Sequence, residues 1–577
     1  MYILGLSAFV KNPGACLLKD GKLVAFAEEE RFLRIKGAHD IFPKGAVSYC
    51  LSQEKITLKD VKKIAVGWDS PKYKFKMPIF FLSSWLKYGV RNPSSGSPTV
   101  INELLTYNPN NFLHNIRLEL SRLGRTTKIP PVEFIPHHLA HAASTFYASG
   151  FDRSAILVID GSGEERTTSF FTGEGLEIKP ETHFNIPDSL GWFYAAITAY
   201  LGFKPYEEEG HLMGLSPYGK PKKAILIKLR QVLSIKSKGK YEVDPKYTLL
   251  GLHSFNSYFS DQLVTLLGQP RFPGEPINQK HKDIAYAAQY LLEEAALNLA
   301  ERATLISQTK KLCLAGGVTL NCKMNGAILA TSTVDEIFVQ PVGNDAGSSL
   351  GAAMIVAKDE GYDPRFKMDH AYWGPGFSQN EVKRILDLSS ISYSRPKSIV
   401  EKAAEAIAKG RAVAWFDGRM EVGPRALGAR SILASASKKG VKDYINNKIK
   451  HRETWRPFCP SLIEEVAPQY LEGISKSQKE ARFMIVTYAV FKDKQKEISE
   501  VVHVDGTTRP QTVNKKINKK YYNLISLVGE KTGTPVILNT SFNVKGEPVI
   551  ATPEQALRCF ASTGLDALAV EGFWIEK

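Results

Sequence analysis

Three histidines lie within five positions of the segment FIPHHLAHAAS (134–144), in a chain of 577 residues that has 12 histidines. If the segment is helical, His137 and His141 are four residues apart and His138 and His141 are three apart, so either pair shares one face of the helix. Two imidazoles on one face can chelate a metal ion, or they can form a polar packing surface. The spacing by itself leaves both interpretations open.

Two aspartates could supply the carboxylates that such a metal site needs. Asp160 ends the apolar run AILVID and Asp345 follows the apolar run EIFVQP. Each stands at the end of a predicted strand near glycine, so we expect both to point into one cleft. Two imidazoles and two carboxylates, with room for water or substrate, suit Fe(II), Mn(II) or Zn(II) better than a structural zinc. A polar helix face with unrelated aspartates is the competing interpretation.

A second group of residues that could do chemistry is basic and lies in the last third of the chain. Its members are embedded among glycine, proline and aromatic residues: Arg419, Arg425, Arg430, Lys450, His451, Arg452, Arg456 and Arg509, with Ser541 and Asn543 in a polar turn. Guanidinium groups beside Trp455 and Phe458 would be partly desolvated, which is tolerated when they meet an anion. We expect a pocket for a doubly charged phosphate ester. A nucleic-acid groove is the alternative, and it would favour basic residues spread among exposed aromatics.

Two similar segments predict the elements that position the metal candidates. Residues 2–30 and residues 154–181 each show a strand, a tight polar turn, a second strand, a glycine hairpin and a third strand. Such a duplication is how the actin/sugar-kinase/Hsp70 architecture is built, with two related lobes that face a nucleotide. The first of these turns contains Lys11 and Asn12, and the second is DGSG (160–163) with Gly161.

Two further segments strengthen this interpretation. KKLCLAGGVTLNCKMNGAIL (310–329) predicts a buried strand, a turn at Gly316 and Gly317, and a helix that opens near Asn321. Glycines before a helix N-terminus let an anion approach the backbone closely. EIFVQPVGNDAGSSLGAAMIVA (336–357) predicts a strand, a loop with Asn344, and a helix of small residues. Each alone could be an ordinary β–α connection, but three in the expected order favour a nucleotide-binding fold.

Length and composition place these elements in an ordinary globular protein of more than one domain. We expect a first domain over 1–365, with an insertion at about 70–125, and a second α/β domain over 366–577, which opens with an amphipathic helix that runs into a strand (398–416). The net charge of +16 is compatible with nucleic acid, with anionic ligands or with a lysine-rich surface. Six scattered cysteines without a C-x-x-C motif predict buried thiols in a cytoplasmic protein, and the apolar window 79–86 is too short to span a membrane.

Nine segments in order resemble the O-carbamoyltransferases of antibiotic and nodulation-factor biosynthesis, the type that makes carbamoylated tobramycin, cephamycin and novobiocin. The resemblance covers nearly the whole chain apart from about 70–125 and some loops. The segments are AEEERFLRIKGAHDIFP, HHLAHAAS, DGSGE, HLMGLSPYG, GGVTLN, GNDAGSSLGAA, GRMEVGPRALGARSIL, WRPF and LNTSFNVKGEPV.

The resemblance implies a first domain similar to the universal tRNA threonylcarbamoyl transferase and a YrdC-like second domain. It implies that carbamoyl phosphate and ATP, with Mg, give carbamoyl-adenylate, whose carbamoyl group passes to a hydroxyl of a sugar or other secondary metabolite. Carried over, the metal ligands are His137, His141, Asp160 and Asp345, with Fe(II) as the expected ion and Mn(II) or Zn(II) as options. The carbamoyl-phosphate pocket is Arg425, Lys450, Arg456, Arg509 and Ser541. Nucleotide-binding positions are Gly161, Gly316, Gly317, Asn321 and Asn344. Lys36 matches a cleft lysine and, with Lys11, is a predicted catalytic residue.

One departure from the family concerns the residue that activates the acceptor. Where the family reads His-Asp in the first hairpin turn, this chain has Lys11-Asn12. A lysine could act as the base only if burial or nearby positive charge lowers its pKa. Three alternatives follow: Lys11 replaces the histidine as the base, another residue serves as the base, or the acceptor differs. In addition, His211 stands where lysine is common.

Three functional hypotheses follow. The first is an O-carbamoyltransferase with small-molecule partners and no membrane or nucleic-acid partner, its oligomeric state left open with a homodimer as one option. The second is an RNA-binding or tRNA-modifying protein, suggested by the charge of +16 and by the tRNA-modification enzymes that both domains resemble. The third is a binding module that has lost transfer chemistry at Lys11.

Overall fold

The computed structural model describes residues 1–89, 99–476 and 479–577. It divides into two compact units, one of residues 1–29 and 37–367 and the other of residues 30–36 and 368–577. The short helix α1 (Glu30–Leu33) therefore belongs to the second unit. Within the predicted insertion at 70–125, residues 90–98 lie outside the described residues.

The first unit is built on two five-stranded sheets and a small two-stranded one. Its strands are β1 (Tyr2–Ser7), β2 (Gly14–Lys19), β3 (Lys22–Glu28), β4 (Val61–Val66), β5 (Val132–Phe134), β6 (Arg153–Gly163), β7 (Arg166–Glu174), β8 (Glu177–Asn185), β9 (Leu233–Lys236), β10 (Lys240–Val243), β11 (Lys311–Ala315) and β12 (Glu336–Val339).

The two large sheets have the same topology. Their strand orders are β3-β2-β1-β4-β5 and β12-β11-β6-β7-β8, the second read in the opposite direction. In each sheet three antiparallel strands that follow one another in the chain are extended by two parallel strands. The duplication expected from residues 2–30 and 154–181 is therefore present. Mixed sheets covered by helices confirm the mixed α/β class.

Local sequence explains the hairpins. Asp20 and Gly21 both have positive φ, 50° and 79°, which is the backbone that a two-residue turn between antiparallel strands requires. The turn expected at DGSG (160–163) is displaced, because β6 continues to Gly163 through an irregularity in its register with β7. The chain reverses at Glu164 and Glu165 instead.

Helices cover both sheets of the first unit. They are α2 (Lys44–Gln53), α3 (Lys76–Tyr88), α4 (Thr99–Thr106), α5 (Pro109–Gly124), α6 (His137–Ser149), α7 (Leu190–Tyr200), α8 (Glu209–Leu215), α9 (Lys223–Val232), α10 (Asp261–Leu267), α11 (Gln279–Ser307), α12 (Cys322–Leu329) and α13 (Ala346–Asp359). The helices expected to contain the three histidines, to open at Asn321 and to follow Asp345 are all present.

The second unit has one seven-stranded mixed sheet and a small antiparallel sheet of two short strands. Its strands are β13 (Val413–Phe416), β14 (Arg430–Ser435), β15 (Cys459–Ile463), β16 (Tyr488–Ala489), β17 (Thr507–Thr508), β18 (Gln511–Val513), β19 (Val536–Ser541), β20 (Ala567–Val570) and β21 (Phe573–Glu576). Strands β16 and β17 form the small sheet. The order of the seven-stranded sheet is β18-β15-β19-β14-β13-β20-β21, in which β15/β18 and β13/β20 are the parallel pairs.

Helices of the second unit form its core against this sheet. They are α14 (Gln379–Ser389), α15 (Ile399–Ala408), α16 (Val441–Tyr444), α17 (Ala467–Tyr470), α18 (Lys519–Thr532) and α19 (Pro553–Ser562). The amphipathic helix and strand expected over 398–416 are α15 and β13. Apolar residues of α15 and α18 pack with Trp415, Leu433 and Ile537 in one buried cluster.

The six cysteines are buried and free, as expected. Among the described residues, no helix is long and apolar enough to cross a lipid bilayer.

Candidate functional site

Four side chains of the first unit converge on one point. One donor atom from each of His137, His141, Asp160 and Asp345 lies within 4.8 Å of the other three. The Nε2 atoms of the two histidines are 3.1 Å apart, and Asp160 Oδ2 is 3.3 Å from Nε2 of His137 and 3.4 Å from Nε2 of His141. Asp345 Oδ1 is 3.8 Å from His137 Nε2. Bonds of about 2.0–2.2 Å to one ion would place neighbouring donors about 3–3.6 Å apart, so the separations suit one cation.

Helix packing brings these residues together. His137 is the first residue of α6 and His141 lies one turn later, while Asp345 immediately precedes α13. The two helices approach to backbone contact, because a Cβ at Gly351 of α13 would lie 1.6 Å from the carbonyl oxygen of Ala140. The run of small residues in α13 therefore sets how near Asp345 comes to the histidines.

Backbone amides orient Asp160. Its Oδ1 accepts hydrogen bonds from the N–H groups of Gly161 at 2.8 Å and Gly317 at 3.1 Å. The other carboxylate oxygen, Oδ2, is left to face the histidines. The N–H groups of Gly161 and Gly317 thus bind a candidate metal ligand. That these two glycines also contact a nucleotide stays a prediction.

A carbonyl group determines the tautomer of His137. Its Nδ1 lies 2.8 Å from the carbonyl oxygen of Gly67, which can only accept a hydrogen bond, so Nδ1 carries a proton and Nε2 is directed at the cluster. Glu164 supports the same region, because its Oε1 accepts from the N–H groups of His137 at 3.1 Å and Asp69 at 2.7 Å. Sequence reasoning did not single out Glu164 as a site residue, although it ends the DGSGE segment.

The electrostatics of the cluster favour positive charge. Burial lowers the pKa of His137, but its hydrogen bond to Asp160 and the charge of Asp345 outweigh burial and raise that pKa to about 9. Burial raises the pKa of Asp160, but hydrogen bonds with His137 and His141 bring it well below its usual range. Burial raises the pKa of Asp345. Two imidazole nitrogens and two carboxylates point their lone pairs at one another, and this donor set fits a divalent cation. A cation bound by these lone pairs would remove the repulsion between them.

His138 is turned away from the cluster. It is fully buried, its Nδ1 lies 2.8 Å from the hydroxyl of Ser169, and burial holds its pKa well below the usual value. Only the i, i+4 pair of the three histidines takes part in the convergent set, because His138 projects from a different face of α6.

Lys11 contacts the cluster through its backbone. Its N–H donates to Asp345 Oδ2 at 3.3 Å, while its Nζ lies 3.3 Å from Asp40 Oδ2 and 5.0 Å above the ring of Tyr206. A carboxylate and an aromatic face both stabilise an ammonium ion. Lys36, the other predicted catalytic lysine, lies in the 30–36 segment of the second unit.

The other predicted nucleotide-binding residues, Gly316, Asn321 and Asn344, differ in the contacts that they make. Gly316 has a φ of 93°, and a Cβ there would lie 2.3 Å from the carbonyl oxygen of Ile159, so close packing requires glycine. Asn321 caps α12 through the N–H of Met324 and exchanges hydrogen bonds with Gln289. Asn344 has a buried Oδ1 without a hydrogen-bond partner among the described residues, which makes it the candidate with spare bonding capacity.

In the second unit, a buried lysine meets neutral acceptors. Lys450 is 2% exposed, and its Nζ donates to the backbone carbonyls of Ser541 and, at 2.9 Å, Asn543, and to the side-chain Oδ1 of Asn543 at 2.8 Å. Burial, together with the charges of Arg452 and Arg456, places its pKa well below the usual value. An anion at this point would restore favourable charge to the ammonium.

Further arginines surround Lys450. Burial, then the charges of Arg456 and Arg509 among the nearby groups, lower the pKa of Arg452 to about 9. Arg509 lies with Nε 3.2 Å from the sulfur of Cys459. Arg425 lies on a loop beside β19, since the next residue, Ala426, accepts a hydrogen bond from Asn539 at 3.1 Å. The structure thus gathers Lys450, Arg456, Arg509 and Ser541 and adds Arg452, which was among the basic residues of the sequence but not in the carried-over pocket.

Two other embedded arginines are held by the protein backbone. The guanidinium of Arg430 is fully buried, donates to the carbonyls of Gly418 at 3.0 Å and Pro375 at 3.0 Å, and lies 3.5 Å from the ring centroid of Phe416. Arg419 donates to the carbonyls of Trp373 at 2.5 Å and Gly374 at 3.2 Å. Backbone carbonyl oxygens therefore compensate part of the positive charge of these two arginines. The sequence pattern had predicted an anion as their partner.

A convergent donor set in one mixed α/β unit and a basic pocket in another are features of an enzyme, and comparison with known proteins makes that enzyme a transferase. The chain belongs to the carbamoyltransferase family: the family model "Carbamoyltransferase N-terminus" matches residues 2–354, and "Carbamoyltransferase C-terminus" matches residues 404–577.

Curated relatives cover most of the chain. An uncharacterized protein of Synechocystis sp. is 36% identical over 100% of this chain and 97% of its own length. Nodulation protein NolNO of Sinorhizobium fredii is 34% identical over 99% of this chain and 80% of its own. An uncharacterized protein of Methanocaldococcus jannaschii is 31% identical over 80% of this chain and 76% of its own.

Similarity to solved structures is weak. Full-length HypF in a phosphate- and nucleotide-bound form is 13% identical, covers 63% of this chain and 56% of its own, and has a TM-score of 0.35. Component A of (R)-2-hydroxyglutaryl-CoA dehydratase from Acidaminococcus fermentans is 15% identical and has a TM-score of 0.31. The match covers 62% of this chain and 98% of that protein. TM-scores this low support no conclusion about the chain.

Proposed function

We propose that this carbamoyltransferase is an ATP-dependent O-carbamoyltransferase whose first unit is an actin/Hsp70-like transfer domain and whose second unit is a YrdC-like activation domain. The observation that carries the proposal is the pairing of a four-donor cluster at His137, His141, Asp160 and Asp345 with a buried basic pocket around Lys450. The first suits a phosphate-binding metal ion and the second suits a phosphate dianion.

In the proposed activation, water cleaves carbamoyl phosphate to carbamate and phosphate in the second unit. Carbamate oxygen then bonds to the α-phosphorus of ATP, the bond to the β-phosphate bridge breaks, and pyrophosphate leaves. Lys450, Arg452, Arg456, Arg509 and Arg425 would hold the phosphate group, and the hydroxyl of Ser541 would add a hydrogen bond. Arginine forks suit this task because they bind two oxygens of one phosphate at once.

In the proposed transfer, an acceptor hydroxyl bonds to the carbamoyl carbon of carbamoyl-adenylate, AMP leaves, and the hydroxyl proton passes to a base. His137, His141, Asp160 and Asp345 would hold a divalent ion, Fe(II) in first place and Mn(II) or Zn(II) as options, which supplies Lewis-acid stabilisation of phosphate charge when bound. Asn344 would contact the nucleotide, joined by the stretches that contain Gly161, Gly316, Gly317 and Asn321.

The two predicted catalytic lysines, Lys11 and Lys36, have different roles in the proposed reaction. Lys11 donates its N–H to Asp345, so it lies at the edge of the proposed transfer site. Its Nζ, 3.3 Å from Asp40 Oδ2, would bind or orient the acceptor. Lys36 keeps its proposed role as a catalytic lysine of the cleft. The acceptor itself is a small molecule with a hydroxyl group, such as a sugar or another secondary metabolite.

Release of pyrophosphate from ATP tests the proposal. The purified chain, loaded with Fe(II) and supplied with Mg-ATP, is expected to release pyrophosphate only when carbamoyl phosphate is present. Pyrophosphate release that is independent of carbamoyl phosphate would overturn the proposed reaction, as would ADP as the nucleotide product in place of AMP.

A further inference from the structure

Residues Glu30–Lys36 come from the N-terminal part of the sequence but belong to the second unit. The chain leaves the first unit after Glu29 and returns to it at Gly37. This segment contains α1 and two arginines, Arg31 and Arg34. Arg31 is buried, and Arg34 ends the helix with a φ of 62°.

Arg34 binds one loop of the second unit with three hydrogen bonds. Its NH1 donates to the carbonyl of Val549 at 2.7 Å, and its NH2 donates to the carbonyl of Pro548 at 2.8 Å and to Glu547 Oε2 at 3.2 Å. One planar guanidinium thus fixes three consecutive residues.

The same loop leads directly to the basic pocket. Glu547 accepts a hydrogen bond at 2.6 Å, through its carbonyl, from the side chain of Asn543. Asn543 in turn provides two of the acceptors that hold Lys450 Nζ, at 2.8 and 2.9 Å. Arg34 is therefore two hydrogen-bonded residues away from the lysine ammonium. Both Arg34 and Lys450 also lie close enough to Cys559 to oppose the rise that burial causes in its pKa.

Arg31 reaches a second loop of the pocket. Its NH2 donates to the carbonyl of Gly423 at 2.7 Å, and its NH1 pairs with Glu30 at 2.8 Å. Gly423 has a φ of 91° and lies two residues before Arg425. One seven-residue segment thus contacts the loop that carries Arg425 and the loop that carries Asn543.

We propose that Glu30–Lys36 is a positioning segment of the phosphate pocket in the second unit, and that Arg34 sets the affinity for phosphate by holding the 547–549 loop and, through Asn543, Lys450. This rests on the proposed function, because it takes the pocket around Lys450 to bind phosphate. Arg34 is a positioning residue: its described hydrogen bonds go to the protein, and its effect on phosphate passes through Asn543.

Inorganic phosphate binding to the full chain tests this proposal. Titration calorimetry compares the wild type with R34A, R34K and R482A. Arg482 is a matched control, since its two guanidinium NH2 groups also bind two partners within the second unit, Asp369 at 2.7 Å and Glu464 at 2.9 Å. In the described part of the chain, neither partner belongs to the pocket loops. We expect R34A to raise the Kd for phosphate about tenfold, equivalent to about 1.4 kcal/mol, and R34K to give an intermediate value, because an ammonium replaces only part of the three-fold contact. R482A is expected to lower the Tm without changing the Kd.

The outcomes separate this inference from the proposed function. If K450M and R456A abolish phosphate binding while R34A binds as the wild type does, the positioning role is wrong and the pocket stands. If R34A and R482A raise the Kd equally, the effect is general destabilisation and the role is also wrong. If K450M and R456A bind phosphate as the wild type does, the pocket and the segment's role both fail. The inference is supported if R34A has a raised Kd for phosphate while its Tm equals or exceeds that of R482A.

Discussion

The Nε2 atoms of His137 and His141 lie 3.1 Å apart on successive turns of α6, and Asp160 Oδ2 lies 3.3 and 3.4 Å from them. Nδ1 of His137 is bound to the carbonyl of Gly67, so its second nitrogen is committed to the cluster. Two nitrogens this close, both buried, fit the cation site that we propose. The predictions about the first unit start from this pair.

Replacing either histidine of the pair is expected to abolish metal binding. H137A and H141A each remove one of four donors, and loss of a ligand should reduce Fe(II) content after reconstitution to less than about a tenth of that of the wild type. Metal analysis of the reconstituted protein measures this. H114A removes an exposed histidine of α5 and should leave the metal content unchanged. Full metal content in H141A would refute the assignment of the cluster.

Widening the contact between α6 and α13 is expected to weaken the same site without touching a ligand. In G351A the added Cβ would lie 1.6 Å from the carbonyl oxygen of Ala140, so the helices must separate and Asp345 must move away from the histidines. We expect metal affinity to fall at least about tenfold, with a destabilisation of about 1–3 kcal/mol. Metal titration and thermal unfolding measure the two effects.

G210A is the matched control for this substitution. Gly210 is an exposed helical glycine, and a Cβ there would meet no atom of the described residues within 4 Å. It should keep both the metal affinity and the Tm. Equal metal affinity in G351A and the wild type would mean that helix packing does not set the site.

Removing the buried ammonium is expected to abolish phosphate binding. K450M keeps the length of the side chain but removes the donor that the Ser541 and Asn543 acceptors hold. We expect the Kd for carbamoyl phosphate to rise at least about 100-fold, since a charge-assisted hydrogen bond to a buried anion is lost. Carbamoyl-phosphate-dependent pyrophosphate release should fall with it, whereas metal content should stay at the wild-type value.

Phosphate binding should take up a proton at alkaline pH. Burial and the neighbouring arginines place the pKa of Lys450 well below its ordinary value, so above that lowered pKa the amine is neutral. A bound dianion favours the ammonium form and raises the pKa again, so the amine gains a proton on binding. Calorimetry over a series of alkaline pH values, in buffers of different ionisation enthalpy, measures the uptake. Release of protons by the wild type on binding would contradict the assignment.

Arg430 should matter for stability and not for ligand affinity. R430M removes a guanidinium that donates to backbone carbonyls and lies 3.5 Å from the ring centroid of Phe416, which leaves those carbonyls unsatisfied. We expect a loss of roughly 3 kcal/mol in the free energy of unfolding of the second unit. Denaturant titration checks this, and a phosphate Kd unchanged from the wild type separates Arg430 from the arginines of the pocket.

Much of the fold was predictable from the sequence because its signals are local. Apolar runs broken by glycine and aspartate indicated β1 to β3 and β6 to β8, and small or capping residues indicated α12 and α13. The turn at DGSG was misplaced by a few residues, since β6 contains a register irregularity that no local pattern reveals. The family followed from nine segments in order, and the matched family models bear it out.

By itself, the sequence determined the class of the fold, the family and the two groups of residues from which the sites are built. Tertiary structure decided which members of each group meet. The i, i+3 and i, i+4 histidine pairs were equivalent on spacing, and the contact of α6 with α13 and β6 selected His137 and His141 and left His138 with Ser169. Likewise, Arg430 and Arg452 look alike in sequence, but the guanidinium of Arg430 donates to backbone carbonyls, whereas burial and the nearby charges of Arg456 and Arg509 lower the pKa of Arg452. The physical reason is that convergence and desolvation depend on neighbours distant in the chain, such as Arg34 beside Glu547, and one-dimensional spacing contains no information about them.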